Sequence, residues 1–137
     1  MFKTILFPID QSREAHEAAE KVVGLVNLFK SRLVLLSVLE TPAPGEEVPE
    51  NQVMASAEAV ALLLQNAQAL FAKAGIEAEV IEREGNPAFT ICDVADEVDA
   101  ELIVMGCRGT GLTDEGAADS VSNRVINLSP CPILIVP

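Results

Sequence analysis

Residues 102–111, Leu-Ile-Val-Met-Gly-Cys-Arg-Gly-Thr-Gly, join a short apolar run to a glycine-rich segment. The apolar part, 102–105, is too short for a typical helix and shows no alternation with polar residues. Strands of a parallel sheet have this pattern, because helices cover both faces of such a sheet. Glycines directly after a strand allow positive φ angles and a close approach of the backbone to a ligand. The stretch therefore predicts a buried parallel strand followed by a turn or a binding loop.

Four other segments are predicted to be strands. Three are short apolar runs of the same kind, and they lie at Thr4–Phe7, Leu33–Leu39 and Ile133–Val136. The fourth, Ile76–Glu84, alternates apolar and charged residues, which is typical of an edge strand with one solvated face. Its inward-facing residues are expected to be Ile76, Ala78 and Val80.

Helical patterns fill the intervals between these strands. Apolar residues recur at spacings of three and four from Ala15 to Phe29 and again from Val53 to Phe71. Gly75 is expected to end the second helix, since glycine accepts the left-handed conformation found there. Asn86-Pro87 opens a third helix as cap and first turn. A fourth is predicted from about Ser120 to Leu128.

The resulting order, β-α-β-α-β-α-β-α-β, predicts an α/β fold. Right-handed crossovers make it an open, doubly wound five-stranded parallel sheet with strand order 3-2-1-4-5 and helices on both faces. The length of 137 residues suggests a single domain over residues 1–137. The long connection Thr41–Glu50 is either a solvated surface loop or a lid over a ligand.

Composition excludes several classes of function. The formal net charge of −12 argues against general nucleic-acid binding and against docking on anionic membranes. No apolar run approaches the ~20 residues of a transmembrane helix, and the start of the chain lacks a signal-peptide pattern. The three cysteines, Cys92, Cys107 and Cys131, lie far apart, which fits a reducing cytoplasm better than a disulfide framework or a zinc site.

The segments after strands one and four form the candidate ligand site. Ligands of open α/β sheets bind beyond the carboxyl ends of the strands where the chain order reverses, here between strands one and four. Pro8-Ile9-Asp10 follows strand one, and residues 106–111 lead from strand four toward the helix predicted at Ser120. A helix N-terminus offers free N–H groups, so the pattern favours an anion site over a plain turn. A P-loop is excluded, because no Gly-Lys-Ser/Thr follows the glycines.

Several segments resemble the universal stress protein family. The most specific of them is residues 104–109, which are followed after nine residues by Asp119-Ser120-Val121-Ser122. The others are the opening 5–10, the predicted second strand at 35–38 and the ending 129–136. The resemblance covers the whole chain, and ATP-binding members carry Gly-x2-Gly-x9-Gly-Ser/Thr. It implies a cytoplasmic stress-response protein that binds an adenine nucleotide, ATP or AMP, between strands one and four.

The resemblance also implies roles for matching residues. Asp10 would face the ribose, and the residues around the adenine would be Pro8, Ile9 and Val38. Met105 and Gly106 would line the turn after strand four. The residues meeting the phosphates would be Gly109, Ser120, Val121 and Ser122. Arg108 either contacts the ligand or balances the neighbouring acids.

Asp119 departs from the family pattern, because it stands where the third glycine is expected. Like charges ~4 Å apart cost about 1 kcal/mol in water and about 4 kcal/mol at a partly screened site. Aspartate is also a favoured helix N-cap, so its carboxylate could take the N–H groups that a phosphate would use. Nucleotide binding is then weak, dependent on Mg²⁺, or lost. The alternative function is a nucleotide-free dimeric interaction and regulatory module of the same fold, with an unidentified protein partner.

The last strand, Ile133–Val136, is an apolar edge in the predicted order, which favours aggregation unless something pairs with it. A homodimer through this strand would cover it, and the family resemblance implies the same arrangement. No catalytic constellation is visible: His16, the only histidine, has no metal or triad partner and is expected at the surface. Cys107 is a candidate redox thiol beside Arg108, whereas Cys92 and Cys131 are expected in the core.

Overall fold

The computed structural model describes residues 1–9, 13–40, 57–106 and 121–136. The strands are β1 (Thr4–Pro8), β2 (Arg32–Glu40), β3 (Ala78–Gly85), β4 (Leu102–Gly106) and β5 (Ile133–Val136). The helices are α1 (Arg13–Phe29), α2 (Ala57–Lys73), α3 (Pro87–Glu97) and α4 (Val121–Leu128). Every predicted strand and helix is present, with small shifts at the ends.

The five strands form one sheet in the order β3-β2-β1-β4-β5, and all four ladders are parallel. The predicted fold class and strand order are therefore confirmed. The direction of winding reverses after β3, so α1 and α2 cover one face of the sheet and α3 and α4 cover the other.

The core consists of two apolar clusters, one on each face of the sheet. Alternate residues of a strand belong to different clusters: Phe7 packs with α1 and α2, whereas Leu6 packs with α3 and α4. On the first face the Phe7 and Phe71 rings meet edge to face, with centroids 6.1 Å apart. Because both faces of the central strands are buried, their sequences lack polar alternation.

The ends of two helices follow their sequence signals. Gly75 has a φ of +80°, and the next amide, that of Ile76, donates to the carbonyl of Phe71 at 2.9 Å, which closes α2 in a Schellman motif. Asn86 caps α3 by accepting a hydrogen bond from the amide of Phe89 at 3.3 Å. Lys30 and Asp99, which follow α1 and α3, also have positive φ values of 55° and 53°. No glycine marks those two ends.

Two expectations about burial are corrected. Val80 is 42% exposed, because it lies on the free edge of the sheet, whereas α2 packs over the start of β3 and buries Ile76 and Ala78. Cys92 and Cys131 are half-buried and pack against the margin of the α3/α4 cluster instead of lying in its core.

Candidate functional site

The carboxyl ends of β1 and β4 lie at the point where the strand order reverses. Among the described residues, the register of β1 with β4 pairs Ile5 with Leu102 and Leu6 with Ile103. The register of β1 with β2 continues further, to the pair Pro8 and Leu36. Beyond it, the Ile9 amide donates to the Leu36 carbonyl at 2.8 Å. The end of β1 therefore stays paired with β2 beyond the last pair of β1 with β4.

The apolar residues predicted around the ligand divide between the two faces of the sheet. Val38 and Met105 are buried in the α3/α4 cluster, and Pro8, two positions after Leu6, lies half-buried on the same face. The side chain of Ile9 belongs to the α1/α2 cluster. The structure thus brings Pro8, Val38 and Met105 to one face and directs the Ile9 side chain to the other.

Ser37 is a residue of this site that was not predicted from the sequence. Its side chain is almost fully buried, and its hydroxyl donates to the Ile9 carbonyl at 3.3 Å. A buried hydroxyl needs such a partner, because losing one leaves an unsatisfied polar group. Ser37 therefore ties the backbone after β1 to β2. The available signal was a single polar residue within the apolar run 33–39.

On the other side of this point lie β4, β5 and α4. Gly106, half-buried at the end of β4, is in register with Val136 of β5. The helix α4 begins at Val121, and its Val125 is fully buried in the same cluster as Met105. This packing holds α4 on the face of the sheet that carries Pro8, Val38 and Met105.

Several predicted site residues lie outside the described residues. They are Asp10, Arg108, Gly109, Asp119 and Ser120, together with Cys107 and the connection Thr41–Glu50. Val121 and Ser122 are the first two residues of α4, and only their backbone is described. His16 lies in α1, with its side chain also outside the described part. The roles given to these residues stay predictions.

Two features are absent from the described residues. Within residues 1–9, 13–40, 57–106 and 121–136, no group of three or more His, Cys, Asp or Glu could hold a metal ion. Across the same ranges, no helix has the length and apolar character that crossing a bilayer requires. The ion pair Arg83–Glu97, at 3.1 Å, lies at the surface between β3 and α3.

Sequence comparison relates the whole chain to one family. The model of the Universal stress protein family matches residues 1–137. The universal stress protein Sll1654 of Synechocystis sp. is 63% identical over 137 residues, which cover 100% of this chain and 87% of that protein.

Solved structures of other proteins are similar to this chain in fold. The universal stress protein UspA from Lactobacillus plantarum has a TM-score of 0.79 at 25% identity, covering 99% of this chain and 98% of that one. The universal stress protein from Archaeoglobus fulgidus in complex with dAMP has a TM-score of 0.70 at 24% identity, covering 99% and 98%.

Proposed function

The chain belongs to the universal stress protein family, and from this premise we propose that it is a cytoplasmic stress-response protein that binds an adenine nucleotide between the ends of β1 and β4. The proposal treats residues 1–137 as a single domain. One observation carries it: β1 follows β2 and parts from β4 where the strand order reverses. Crevices at such points are where open α/β sheets bind ligands.

The apolar wall supports binding of the adenine. Pro8 offers a partly exposed ring at the mouth of the crevice, while Val38 and Met105 form the buried surface on the same face. A flat base gains binding energy from burying its faces against such side chains. Asp10, directly after this wall, is proposed to accept from the ribose hydroxyls. The Archaeoglobus fulgidus relative holds dAMP, a ligand of the same chemical class.

The start of α4 supports binding of the phosphates. The positive end of the helix dipole attracts an anion there. Gly106 and Gly109 are proposed to let the backbone approach the phosphates, with Ser120, Val121 and Ser122 completing the contacts. Arg108 is proposed as their counter-charge.

Asp119 opposes this contact, so we propose that ATP binds weakly and with Mg²⁺ between the two negative groups. The charge of ATP near Asp119 is larger than that of AMP, and the repulsion is correspondingly larger. The site is assigned binding alone, and no catalytic residue is proposed.

A second candidate function is a nucleotide-free dimeric module, and Asp119 at the position of the third signature glycine favours it. Leu134 is 39% exposed on the strand at the end of the sheet order. Pairing of Ile133–Val136 with the same strand of a second copy would bury this apolar edge. Both candidate functions include this homodimer, and they differ in whether the crevice takes a nucleotide.

The experiment combines mass spectrometry of released small molecules with calorimetry. Purified protein is denatured and its supernatant analysed for adenine nucleotides, and then ATP and AMP are titrated with and without Mg²⁺. Asp119→Gly is expected to tighten ATP binding by roughly ten-fold or more, as the removal of a like charge at contact distance predicts. The matched control is Asp114→Gly, which removes an equal charge from one of the nine variable positions between Gly109 and Asp119. No released nucleotide and no binding to wild type or Asp119→Gly would leave the nucleotide-free module as the function.

A further inference from the structure

The outer face of α2 is uncharged over most of its length. Between Glu58 in the first turn and Lys73 in the last turn, residues 59–72 carry no charge, although the chain has 21 acidic and 9 basic residues. Two leucines of this helix are exposed to solvent, Leu62 by 58% and Leu70 by 47%. Exposed apolar side chains on an uncharged helix of such an acidic chain are typical of a surface that meets a partner.

The neighbouring helix α1 has the opposite character. Both helices are 17 residues long, and both pack against the same face of the sheet. On α1, Glu17, Glu20 and Lys21 are exposed. α1 therefore has the charged outer face that is usual for a helix in contact with water, and α2 lacks it.

Exposed residues of α2 follow one line along the helix. Their spacings are four, four, three and four, which place side chains on one side of an α-helix. The residues are Glu58, Leu62, Asn66, Ala69 and Lys73, and all five are exposed. We call them the α2 stripe. It has a carboxylate at one end, an ammonium group at the other, and apolar and amide side chains between them.

The α2 stripe is complementary to itself when it is read in the reverse direction. If two copies of α2 lie antiparallel about a two-fold axis near Asn66, Glu58 of one copy lies opposite Lys73 of the other. Symmetry produces this ion pair twice, once at each end of the contact. Leu62 then lies opposite Ala69, and Asn66 lies beside its own copy, where each amide can donate and accept. The antiparallel helix dipoles also attract each other.

Both charged ends of the α2 stripe are available for such a contact. Neither Glu58 nor Lys73 forms an ion pair with another residue that the structure describes. Because both side chains are exposed, pairing with a second copy breaks no ion pair between described residues.

A groove beside the α2 stripe extends the surface toward β3. It is lined by residues of α2 and by the start of β3, among them Ala69, Ala72 and Ala78. Ala69 belongs to both the stripe and the groove, so the two surfaces are continuous. Contact along one helix and this groove lies at the low end of the ~1,200–2,000 Å² that stable interfaces bury. Such a pairing is weak and depends on protein concentration.

We propose that α2 pairs antiparallel with α2 of a second copy of this chain, in a weak symmetric association through the α2 stripe. α2 contacts β2 and β3, whereas β5 lies at the far end of the sheet order. One copy can therefore use the α2 stripe and the β5 edge at the same time. At high protein concentration the α2 contact joins dimers formed through β5 into larger assemblies. The inference is independent of nucleotide binding.

The test is sedimentation equilibrium over a concentration series from roughly 10 µM to 1 mM. The parent is Leu134→Lys, in which the proposed β5 contact is blocked, and its weight-average mass is expected to rise from monomer toward dimer. Adding Glu58→Lys or Lys73→Glu places like charges at both ends of the pair, and each is expected to weaken association by about ten-fold. Adding both substitutions restores two ion pairs in reverse, and association is expected to return to that of the parent.

Matched controls make the same charge changes on the exposed face of α1. They are Glu20→Lys and Lys21→Glu, and neither is expected to weaken association. Glu58→Lys reduces the net negative charge of the chain, which by itself favours association. Weaker association in that variant therefore reports a contact at this position.

Three results would overturn the proposal. The first is a parent variant whose mass is constant over the whole concentration series. The second is association of the Glu58→Lys and Lys73→Glu variants as tight as that of the parent, which would place the contact on another surface. The third is a double variant that associates no more tightly than the single ones, which would exclude the antiparallel register. A dimer that persists in the parent at low concentration would contradict the β5 edge and leave these comparisons intact.

Discussion

The hydroxyl of Ser37 donates a hydrogen bond to the carbonyl of Ile9, and this single contact fixes the backbone just before the proposed ligand site. The neighbouring amide of Ile9 is bound in turn to the carbonyl of Leu36. Two bonds to β2 thus hold the backbone at the end of β1. Any nucleotide bound in the crevice depends on the position that they set.

The first prediction concerns Ser37→Ala. Removing the hydroxyl leaves the Ile9 carbonyl without its partner, and this is expected to lower the free energy of unfolding by about 1–2 kcal/mol. Nucleotide affinity is also expected to fall, because Asp10, the proposed ribose contact, directly follows Ile9 in the chain. Chemical denaturation and calorimetry measure the two effects.

The matched control is Ser31→Ala. The Ser31 hydroxyl also donates to a backbone carbonyl, that of Phe2, but before the start of β1 and β2, at the other end of the sheet. A comparable loss of stability with unchanged affinity is expected. An equal loss of affinity in both variants would show that Ser37 acts on stability alone.

The second prediction compares the effect on stability of alanine substitutions at two glycines, Gly75 and Gly24. Gly75 has a φ of +80° at the end of α2, so Gly75→Ala is expected to destabilise the protein by about 1 kcal/mol. Gly24 lies inside α1, where an added β-carbon would meet no atom within 4 Å, and Gly24→Ala is expected to stabilise the protein by roughly 0.5–1 kcal/mol. Urea denaturation of both variants checks the signs, and a shared sign would contradict the left-handed end of α2.

The third prediction concerns pH. A hydrogen bond from Arg32 holds the pKa of Glu79 below its ordinary value of 4.5. A carboxyl with a lowered folded pKa stabilises the fold above its unfolded pKa, and this stabilisation disappears as the pH falls through the folded value. Both side chains are about half exposed, so the contribution is expected to stay below ~1 kcal/mol.

Glu79→Gln tests this linkage. The variant is expected to be slightly less stable than wild type at pH 7, with the difference vanishing at a pH below the lowered pKa of Glu79. Denaturation curves at the two pH values, repeated at high salt, measure it. A difference that persists in acid would assign the effect to packing instead of charge.

The fourth prediction concerns the proposed dimer edge. Leu134→Lys places a charge on the exposed face of β5, and sedimentation is expected to show a shift from dimer to monomer. Leu28→Lys is the control, because Leu28 is even more exposed but lies on α1. Val136 is unsuitable for this test, since it is buried in the α1/α2 cluster. An unchanged dimer mass in Leu134→Lys would exclude this edge.

Local signals carried much of the fold prediction. Asn86 and Pro87 indicate the start of α3, and Gly75 indicates the end of α2. Helix caps can be predicted in this way because they depend on a few neighbouring residues. The ends of α1 and α3 were less distinct, since Lys30 and Asp99 adopt the left-handed conformation that glycine normally marks. There the packing of the helix overrides the local preference.

The site was predictable only in outline. The glycine-rich segment after β4 and the rule of the reversed strand order predict a site between β1 and β4, and only the strand order is confirmed. The role of Ser37 was not predictable, because its partner Ile9 lies 28 residues away and depends on the register of β1 with β2. The side chains of Ile9 and Val38 lie on opposite faces of the sheet, and this placement also depends on the register of β1 with β2.

The sequence alone determined the order of strands and helices, the parallel sheet and the family. These follow from periodicity, helix caps and the handedness of crossovers, which are properties of short segments and of L-amino acids. Only the tertiary structure decided that Pro8 and Val38 share a face without Ile9. Such neighbours depend on strand register and on how two helices pack across one face, and residues distant in the chain set both together.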